Sequence, residues 1–191
     1  MADSGPPFVF VTVGTDHHPF NRLIDWVDAW LPTDRSVRVR CFVQSGTSKP
    51  PQHAPFKAYL SPREMVTASG GATAVVSQGG PGTITNCRRQ GVIPIVVPRQ
   101  RRWGEAVDDH QVAFAHRLAE RQEVFLAETR AHLWALLDLG LRDPAPFRSP
   151  RHSGTIQEVT ERVAELVDDL VAAPRPRSWR QRREVPPWRR S

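Results

Sequence analysis

Three glycines within four residues, followed by a threonine, are the strongest chemical signal in this chain. Gly79, Gly80, Gly82 and Thr83 lie between the predicted strand 75–77 and a predicted helix that begins at Thr83. Glycine lets the backbone approach a bulky ligand, and the start of a helix presents unpaired amide N–H groups and the positive end of its dipole. The pattern therefore indicates a cradle for an anion such as a nucleoside diphosphate.

A second group of candidates follows the apolar run 8–13. Gly14 and Thr15 place a backbone turn and a hydroxyl where a phosphate contact is expected, although ordinary turn chemistry between a strand and a helix explains the pair equally well. His17 and His18 are candidates for a catalytic base, and His18 is alternatively a helix cap. The spacing is not Gly-x-Gly-x-x-Gly, which argues against a nicotinamide dinucleotide site.

The loop after the apolar run 93–97 is rich in arginine. Arg99, Arg101 and Arg102 precede Trp103, and guanidinium groups suit both a pyrophosphate and a uronic-acid carboxylate. The sequence therefore predicts that Arg99 and its neighbours clamp a nucleotide. The alternative is a solvated loop in an arginine-rich protein.

The elements that must position these residues alternate between strand and helix. Apolar runs of strand length and helical apolar spacing predict the following order: strand 8–13, a helix with Pro19 in its first turn, strands 37–43 and 56–60, a helix opened by a Ser61–Glu64 capping box, strand 75–77, helix 83–90, strand 93–97, helix 108–120, strand 123–126 and helix 131–137. Such alternation is typical of a Rossmann-like α/β fold with a doubly wound parallel sheet, whose ligand site lies at the carboxyl ends of the strands.

The last part of the chain differs in composition. Residues 139–154 are predicted to form a loop and residues 155–170 an amphipathic helix that packs on the sheet. We assign residues 1–173 to one domain and residues 174–191 to a disordered tail rich in arginine and tryptophan. The tail holds seven arginines and one glutamate, a net charge of +6, which equals the net charge of the whole chain.

Three motifs together resemble a known family. They are Ser-Gln-Gly-Gly-Pro-Gly-Thr at 77–83, Pro-Ile-Val-Val-Pro-Arg at 94–99 and Glu-Ala-Val-Asp-Asp-His-Gln at 105–111. The chain resembles the carboxy-terminal, donor-binding domain of family 28 glycosyltransferases over residues 8–170. It is most similar to the small subunits of split, two-chain members: the exopolysaccharide glucuronosyltransferase small subunit and the dolichol-linked GlcNAc transferase catalytic subunit. The resemblance implies the carboxy-terminal half of a GT-B fold.

The resemblance also implies roles for individual residues. Asp109, His110 and Gln111 would contact the hydroxyls of the donor sugar. Asn86 stands where relatives have an acid that binds the ribose, and Gln78 stands where relatives often have histidine. An asparagine accepts a hydrogen bond but lacks the charge-assisted contact, which is worth roughly 1 kcal/mol more than a neutral one. No metal ion and no cofactor is expected.

The function that the resemblance implies is transfer of a sugar from a UDP-sugar to a lipid-linked acceptor. The acceptor half would come from a second, membrane-associated subunit. The alternative is a non-catalytic interaction subunit of degenerate fold that stabilises its partner. A stand-alone epimerase is a further alternative, but the sequence carries no recognisable cofactor fingerprint for it.

Composition argues against membrane-spanning, exported, disulfide-rich and nucleic-acid-binding proteins. The 191 residues fit one domain, no apolar run approaches the roughly 18 residues of a membrane helix, and no export signal is recognisable, so a cytoplasmic chain at the inner face of a membrane is expected. The two cysteines are too few for a disulfide framework. Outside the tail the positive and negative charges cancel, so no nucleic-acid partner is predicted. The basic tail suits an anionic membrane surface or an acidic partner protein. The alternative is that the tail has no binding role.

Overall fold

One parallel sheet organises the part of the chain that the computed structural model describes, residues 5–31 and 39–149. Six strands lie in the order β3-β2-β1-β4-β5-β6, and every neighbouring pair is parallel. The strands are β1 (Phe8–Thr12), β2 (Arg40–Gln44), β3 (Phe56–Lys57), β4 (Ala74–Ser77), β5 (Ile95–Val96) and β6 (Phe125–Leu126). The predicted fold class, a Rossmann-like α/β fold with a doubly wound parallel sheet, is confirmed, and β1 lies near the centre of the sheet.

Within residues 5–31 and 39–149, five α-helices cover the two faces of this sheet. They are α1 (Asn21–Trp30), α2 (Pro62–Gly71), α3 (Pro81–Arg89), α4 (His110–Glu120) and α5 (Arg130–Arg142). Alternate residues of β1 face opposite layers: Val9 and Val11 belong to the buried cluster that includes apolar residues of α1 and α5, whereas Phe10 packs in the cluster with Cys87 of α3. This period of two is what a strand buried on both faces requires.

The capping box of α2 was predicted correctly. Ser61 Oγ accepts a hydrogen bond from the Glu64 N–H at 3.3 Å, and a Glu64 carboxylate oxygen accepts one from the Ser61 N–H at 2.7 Å. The start of α1 was predicted wrongly, because the helix begins at Asn21 with Phe20 at its N-cap, so Pro19 lies before the first turn.

The end of α5 was also predicted wrongly. Residues 139–142 were assigned to a loop, yet α5 continues to Arg142. Gly140 is buried in its last turns, and a Cβ built on it would lie 3.3 Å from Cε2 of Phe147. The glycine therefore allows a ring to pack closely on the helix and does not end it.

Several predictions fall outside the described residues. These are the first part of strand 37–43, the helix 155–170, the tail 174–191 and the domain boundary at 173, all of which remain predictions. Among the described helices, none is both long enough and apolar enough to span a bilayer.

Candidate functional site

The candidate site lies at the carboxyl ends of the parallel strands. Gly14 follows β1, Gly46 follows β2 and Gly79 follows β4, with φ angles of +82°, +54° and +87°. L-residues with side chains rarely adopt such angles, so glycine is needed wherever the chain turns this sharply. Consequently each of the three strands ends in a tight backbone turn at the same edge of the sheet.

The turn after β4 leads directly into α3. The Gly79 N–H donates to Ser77 Oγ at 3.2 Å, and Gly80 occupies the N-cap of α3, where no described side chain caps the helix. Pro81 is the first residue of the helix, so the helix begins two residues earlier than predicted and Gly82 lies in its first turn. The helix presents an uncapped amino terminus beside the glycine turn, the arrangement that favours anion binding.

The Gln78 side chain lies between two glycine turns, the one at Gly14 and the one at Gly79–Gly80. A Cβ built on Gly14 would lie 2.3 Å from Gln78 Nε2, and a Cβ built on Gly80 would lie 2.8 Å from the same atom. The amide oxygen Oε1 of Gln78 is buried and accepts no hydrogen bond within the described part of the chain. The absence of side chains at Gly14 and Gly80 therefore makes room for the Gln78 amide between them.

The β1–α1 loop contains both histidine candidates. His18 Nδ1 lies 2.7 Å from Asp16 Oδ1, and the same oxygen accepts the His18 backbone N–H at 2.8 Å. This backbone hydrogen bond is the main reason that the pKa of Asp16 lies below its usual value. His18 does not cap α1, since the N-cap is Phe20.

His17 is placed differently from His18. Its side chain is 83% exposed, and its Nδ1 lies 3.5 Å from Asp16 Oδ1. One potential ligand atom from each of Asp16, His17 and His18 falls within a 4.8 Å cluster, so these residues are the ones in the described ranges whose placement suits a metal ion.

Arg99, the predicted nucleotide contact in the loop after β5, is a buried residue of the candidate site. It is 1% exposed, and its guanidinium donates to three backbone carbonyls: His18 O at 2.6 Å, Glu105 O at 3.0 Å and Val13 O at 2.8 Å. Burial lowers the pKa of the guanidinium, while the charges of Asp16 and Glu105 act in the opposite direction. Arg99 therefore ties the β1–α1 loop to the loop after β5, and its predicted contact with a pyrophosphate stays a prediction.

The structure also identifies Glu105, which sequence reasoning did not single out as a functional residue. Glu105 is 3% exposed; its carboxylate accepts hydrogen bonds from Arg22 Nε and Nη2, both at 2.8 Å, and from the Gln100 N–H at 3.0 Å. The Arg22 guanidinium stacks over the Trp26 ring with 4.6 Å to its centroid. This buried ion pair anchors the loop after β5 to α1.

Gln44 is the second unpredicted residue. Its Oε1 accepts from Thr12 Oγ1 at 2.6 Å and from the Gly14 N–H at 3.1 Å, and its Nε2 donates to the Gly14 and Ala58 carbonyls. Because Gln44 is 2% exposed and fully hydrogen-bonded, it fixes the turn at Gly14. A glutamine at the end of an otherwise apolar strand is the sequence signal that could have identified it.

The predicted sugar-binding residues begin α4. Asp109 is at the N-cap position, but its Oδ1 accepts the Arg101 N–H at 2.9 Å, so its side chain does not cap the helix. His110 pairs with Asp108. Gln111 Oε1 is buried without a hydrogen-bond partner among the described residues. The Asp109 hydrogen bond therefore holds the start of α4 against the 3₁₀ turn Arg101–Trp103. In this turn the Trp103 side chain is 60% exposed.

Asn86 faces α2. Its Nδ2 donates to Ser69 Oγ at 3.1 Å, and Ser69 is fully buried. The amide N–H therefore serves packing between α3 and α2, while the predicted contact with a ribose stays a prediction. Thr15 is exposed and Thr83 is half-buried at the first turn of α3, as an accessible ligand contact requires.

The comparison with protein families identifies the class of this chain. The sequence model of the glycosyltransferase family 28 C-terminal domain matches residues 8–137, and the chain belongs to that family. This assignment agrees with the resemblance found in the sequence. No curated protein matches the chain.

Solved structures show the same architecture. The chain is similar to CalG4, the calicheamicin glycosyltransferase, with a TM-score of 0.57 and 14% identity, covering 91% of this chain and 44% of that one. It is similar to Acinetobacter baumannii MurG with a TM-score of 0.57 and 19% identity, covering 87% and 50%. The glycosyltransferase VinC in complex with DTDP gives a TM-score of 0.50 and 25% identity over 90% and 42%. The fold is therefore that of GT-B glycosyltransferase C-terminal domains, and the chain spans about half the length of these structures.

Proposed function

We propose that this chain binds the donor of a glycosyltransferase, a UDP-sugar, at the carboxyl edge of its sheet. The observation that carries this proposal is the Gly79–Gly80 turn, which leads into the uncapped amino terminus of α3. Backbone amides and a helix dipole at one point favour a diphosphate over a neutral ligand. The VinC structure, which contains DTDP, supports a nucleoside diphosphate on this fold.

The chemistry that follows is inverting transfer of a hexose. The departing diphosphate gains negative charge in the transition state, and the amides at Gly80 and Gly82, together with the dipole of α3, would stabilise it. This part of the reaction needs no metal ion. The donor sugar would lie against Asp109, His110 and Gln111, where the buried, unpartnered oxygen of Gln111 can accept a hydrogen bond from a sugar hydroxyl.

The acceptor and the partner rest on the resemblance to split transferases. In this proposal a second, membrane-associated subunit supplies the acceptor half, and the acceptor is a lipid-linked sugar in exopolysaccharide or glycoconjugate synthesis. The chain would then act in the cytoplasm at the inner face of the membrane. Co-purification with a membrane-bound Rossmann-like partner would support this arrangement, whereas full transfer activity by the chain alone would contradict it.

The donor proposal is tested by calorimetric titration of UDP, UDP-glucose, UDP-GlcNAc and UDP-glucuronate into the full chain. We expect binding with a sugar preference, and we expect Asp109→Ala combined with Gln111→Ala to erase that preference while UDP itself still binds. His53→Ala, a change at an exposed residue on the β2–β3 loop, is the matched control.

The alternative function predicts the opposite result. A non-catalytic interaction subunit would bind none of these ligands, even with its partner present, because Gln78 and Asn86 would then mark a lost donor site. Failure of every titration while the partner still associates would establish that reading.

A further inference from the structure

The β1–α1 loop brings three potential metal ligands together. Asp16, His17 and His18 are consecutive residues, and one ligand atom from each lies within 4.8 Å of the other two. His17 Nδ1 lies 3.5 Å and His18 Nδ1 lies 2.7 Å from Asp16 Oδ1. The centroids of the two imidazole rings are 3.9 Å apart. The loop therefore turns three neighbouring side chains toward one point.

The distances between these atoms are close to those around a zinc ion. Zinc binds imidazole nitrogen and carboxylate oxygen at about 2.0–2.2 Å in tetrahedral geometry, so two neighbouring ligand atoms lie roughly 3.4 Å apart. The separation of 3.5 Å between Asp16 and His17 fits this value as it stands. The separation of 2.7 Å between Asp16 and His18 must widen by roughly 0.7 Å, because a hydrogen bond is replaced by two bonds to the ion.

The kind of donor atom decides which ion the loop suits. Two imidazole nitrogens and one carboxylate oxygen favour zinc, nickel and copper, whereas magnesium and calcium prefer oxygen ligands alone. Three protein ligands leave one tetrahedral position open. The side chains of His17 and Asp16 are 83% and 42% exposed, so water can reach that position.

Contacts from two other loops hold the backbone of all three residues. Thr47 Oγ1 donates to the carbonyls of Asp16 and His17, at 3.2 Å in each case. Arg99 Nη1 donates to the carbonyl of His18 at 2.6 Å. These contacts use backbone oxygens and leave the side-chain ligand atoms available, so an ion would have little chain to order. The positive charge of Arg99 repels a cation, and we therefore expect weaker binding than at a closed four-ligand site.

We propose that Asp16, His17 and His18 form a binding site for a divalent transition-metal ion of the zinc type. In the metal-free loop the carboxylate of Asp16 accepts a hydrogen bond, so His18 Nδ1 carries a proton. The ion takes the place of that proton. Nδ1 releases it to solvent and Nε2 takes one up, so the ring stays neutral. This site does not rest on the proposed donor binding.

The experiment is calorimetric titration of zinc chloride, and separately of magnesium chloride, into the full chain without an affinity tag. We expect one zinc ion to bind with a Kd on the order of micromolar and magnesium to give no binding up to about 1 mM. The variants Asp16→Ala, His17→Ala and His18→Ala should each lower the zinc affinity at least about tenfold, because each removes a direct ligand. A smaller loss in any of the three, or no zinc binding to wild type up to about 1 mM, overturns the proposal.

His116→Ala is the matched control. His116 Nε2 lies 3.1 Å from Glu128 Oε1, a histidine–carboxylate pair outside the three-ligand cluster, and its loss should leave the zinc affinity unchanged. Circular dichroism of the metal-free variants checks that each is folded. If Asp16→Ala or His18→Ala is unfolded, His17→Ala decides the test, since its side chain is the most exposed of the three.

NMR of the histidine ring nitrogens tests the same site through its protonation. Without metal, His18 should carry its proton on Nδ1. With saturating zinc, the proton should lie on Nε2 and Nδ1 should show the shift of a metal-bound nitrogen. A His18 ring that keeps its Nδ1 proton in saturating zinc overturns the proposal. None of these outcomes depends on whether the chain binds a UDP-sugar, so the donor proposal stands or fails separately.

Discussion

Replacing Gly79 by alanine tests whether the turn after β4 has the left-handed backbone and the close contact with Val96 described above. Gly79 has a φ of +87°, and a Cβ built there would lie 2.7 Å from Val96 Cγ1. The left-handed backbone costs about 1–2 kcal/mol for a residue with a Cβ, and overpacking a core costs about 1–3 kcal/mol. We therefore expect Gly79→Ala to lower the free energy of unfolding by about 3 kcal/mol, a fall in Tm of roughly 6–12 °C for a chain of this size.

Urea denaturation followed by circular dichroism measures this change, and two further variants separate its causes. In a Val96→Ala background the added methyl has room, so Gly79→Ala should cost only the backbone contribution, about 1–2 kcal/mol. Gly82→Ala adds a Cβ that meets no atom within 4 Å and should leave stability unchanged or raise it by up to about 1 kcal/mol. A Gly79→Ala protein within about 0.5 kcal/mol of wild type would refute the described turn, since ordinary surface changes have effects of that size.

Three further predictions concern buried and charged groups. Cys41 and Cys87 are free thiols whose burial raises the pKa of each to about 12, so neither should react with Ellman's reagent at pH 8 until urea unfolds the chain, and fast labelling of the native protein would contradict their packing. Glu64 should titrate in NMR with a pKa of about 2, first because of its hydrogen bond to the Lys57 ammonium and then because of its hydrogen bonds to Ser61. Its contribution to stability is present above its ordinary pKa and is lost as the pH falls toward 2, so a midpoint near 4.5 would contradict both the Lys57 contact and the capping box. Glu105→Gln leaves the Arg22 cation buried without its counter-charge and should lower the free energy of unfolding by about 3 kcal/mol, measured by urea denaturation, whereas a loss below about 1 kcal/mol would mean that the pair is solvated.

The fold could be predicted because the signals that define it are local. Alternating apolar strands and amphipathic helices fix the α/β class, and a Ser-Pro-x-Glu sequence fixes the start of α2, as the structure shows at Ser61. The parallel sheet followed from the alternation of strands with helices, and the burial of all four residues of β4 agrees with a sheet that is covered on both faces. These features need no knowledge of distant contacts.

Contacts between separate parts of the chain could not be predicted from the sequence. The sequence shows Arg99 beside a predicted ligand loop but not the three carbonyls, 6 to 86 residues away, that its guanidinium binds. In the same way, residues 139–142 were predicted to lie in a loop, and the close packing of Phe147 on Gly140 in the last turns of α5 cannot be seen in the local sequence. Burial of a polar or small residue is decided by partners that no local pattern reveals.

The candidate site was predicted in part. Gly14 and Gly79, which follow predicted strands, indicated sharp turns, because residues with a Cβ rarely adopt positive φ angles; both glycines do have positive φ. The Asp16–His18 hydrogen bond and the position of Gln78 between two loops depend on side-chain geometry, so the sequence offered the histidine but not its partner. Contacts with a nucleotide or a sugar stay predictions.

The central claim is that a nucleoside diphosphate binds at the amino terminus of α3, and Gly82→Asp tests it most directly. An acidic residue in the first turn stabilises a helix by about 0.3–1 kcal/mol through its interaction with the helix dipole. The variant should therefore have a Tm no lower than that of wild type. The same negative charge repels a diphosphate by on the order of 1–3 kcal/mol. Calorimetric titration of UDP should therefore show a loss of affinity of about 5- to 150-fold in Gly82→Asp and little change in the neutral control Gly82→Asn. Equal UDP affinity in wild type and both variants would place the nucleotide elsewhere and contradict the account.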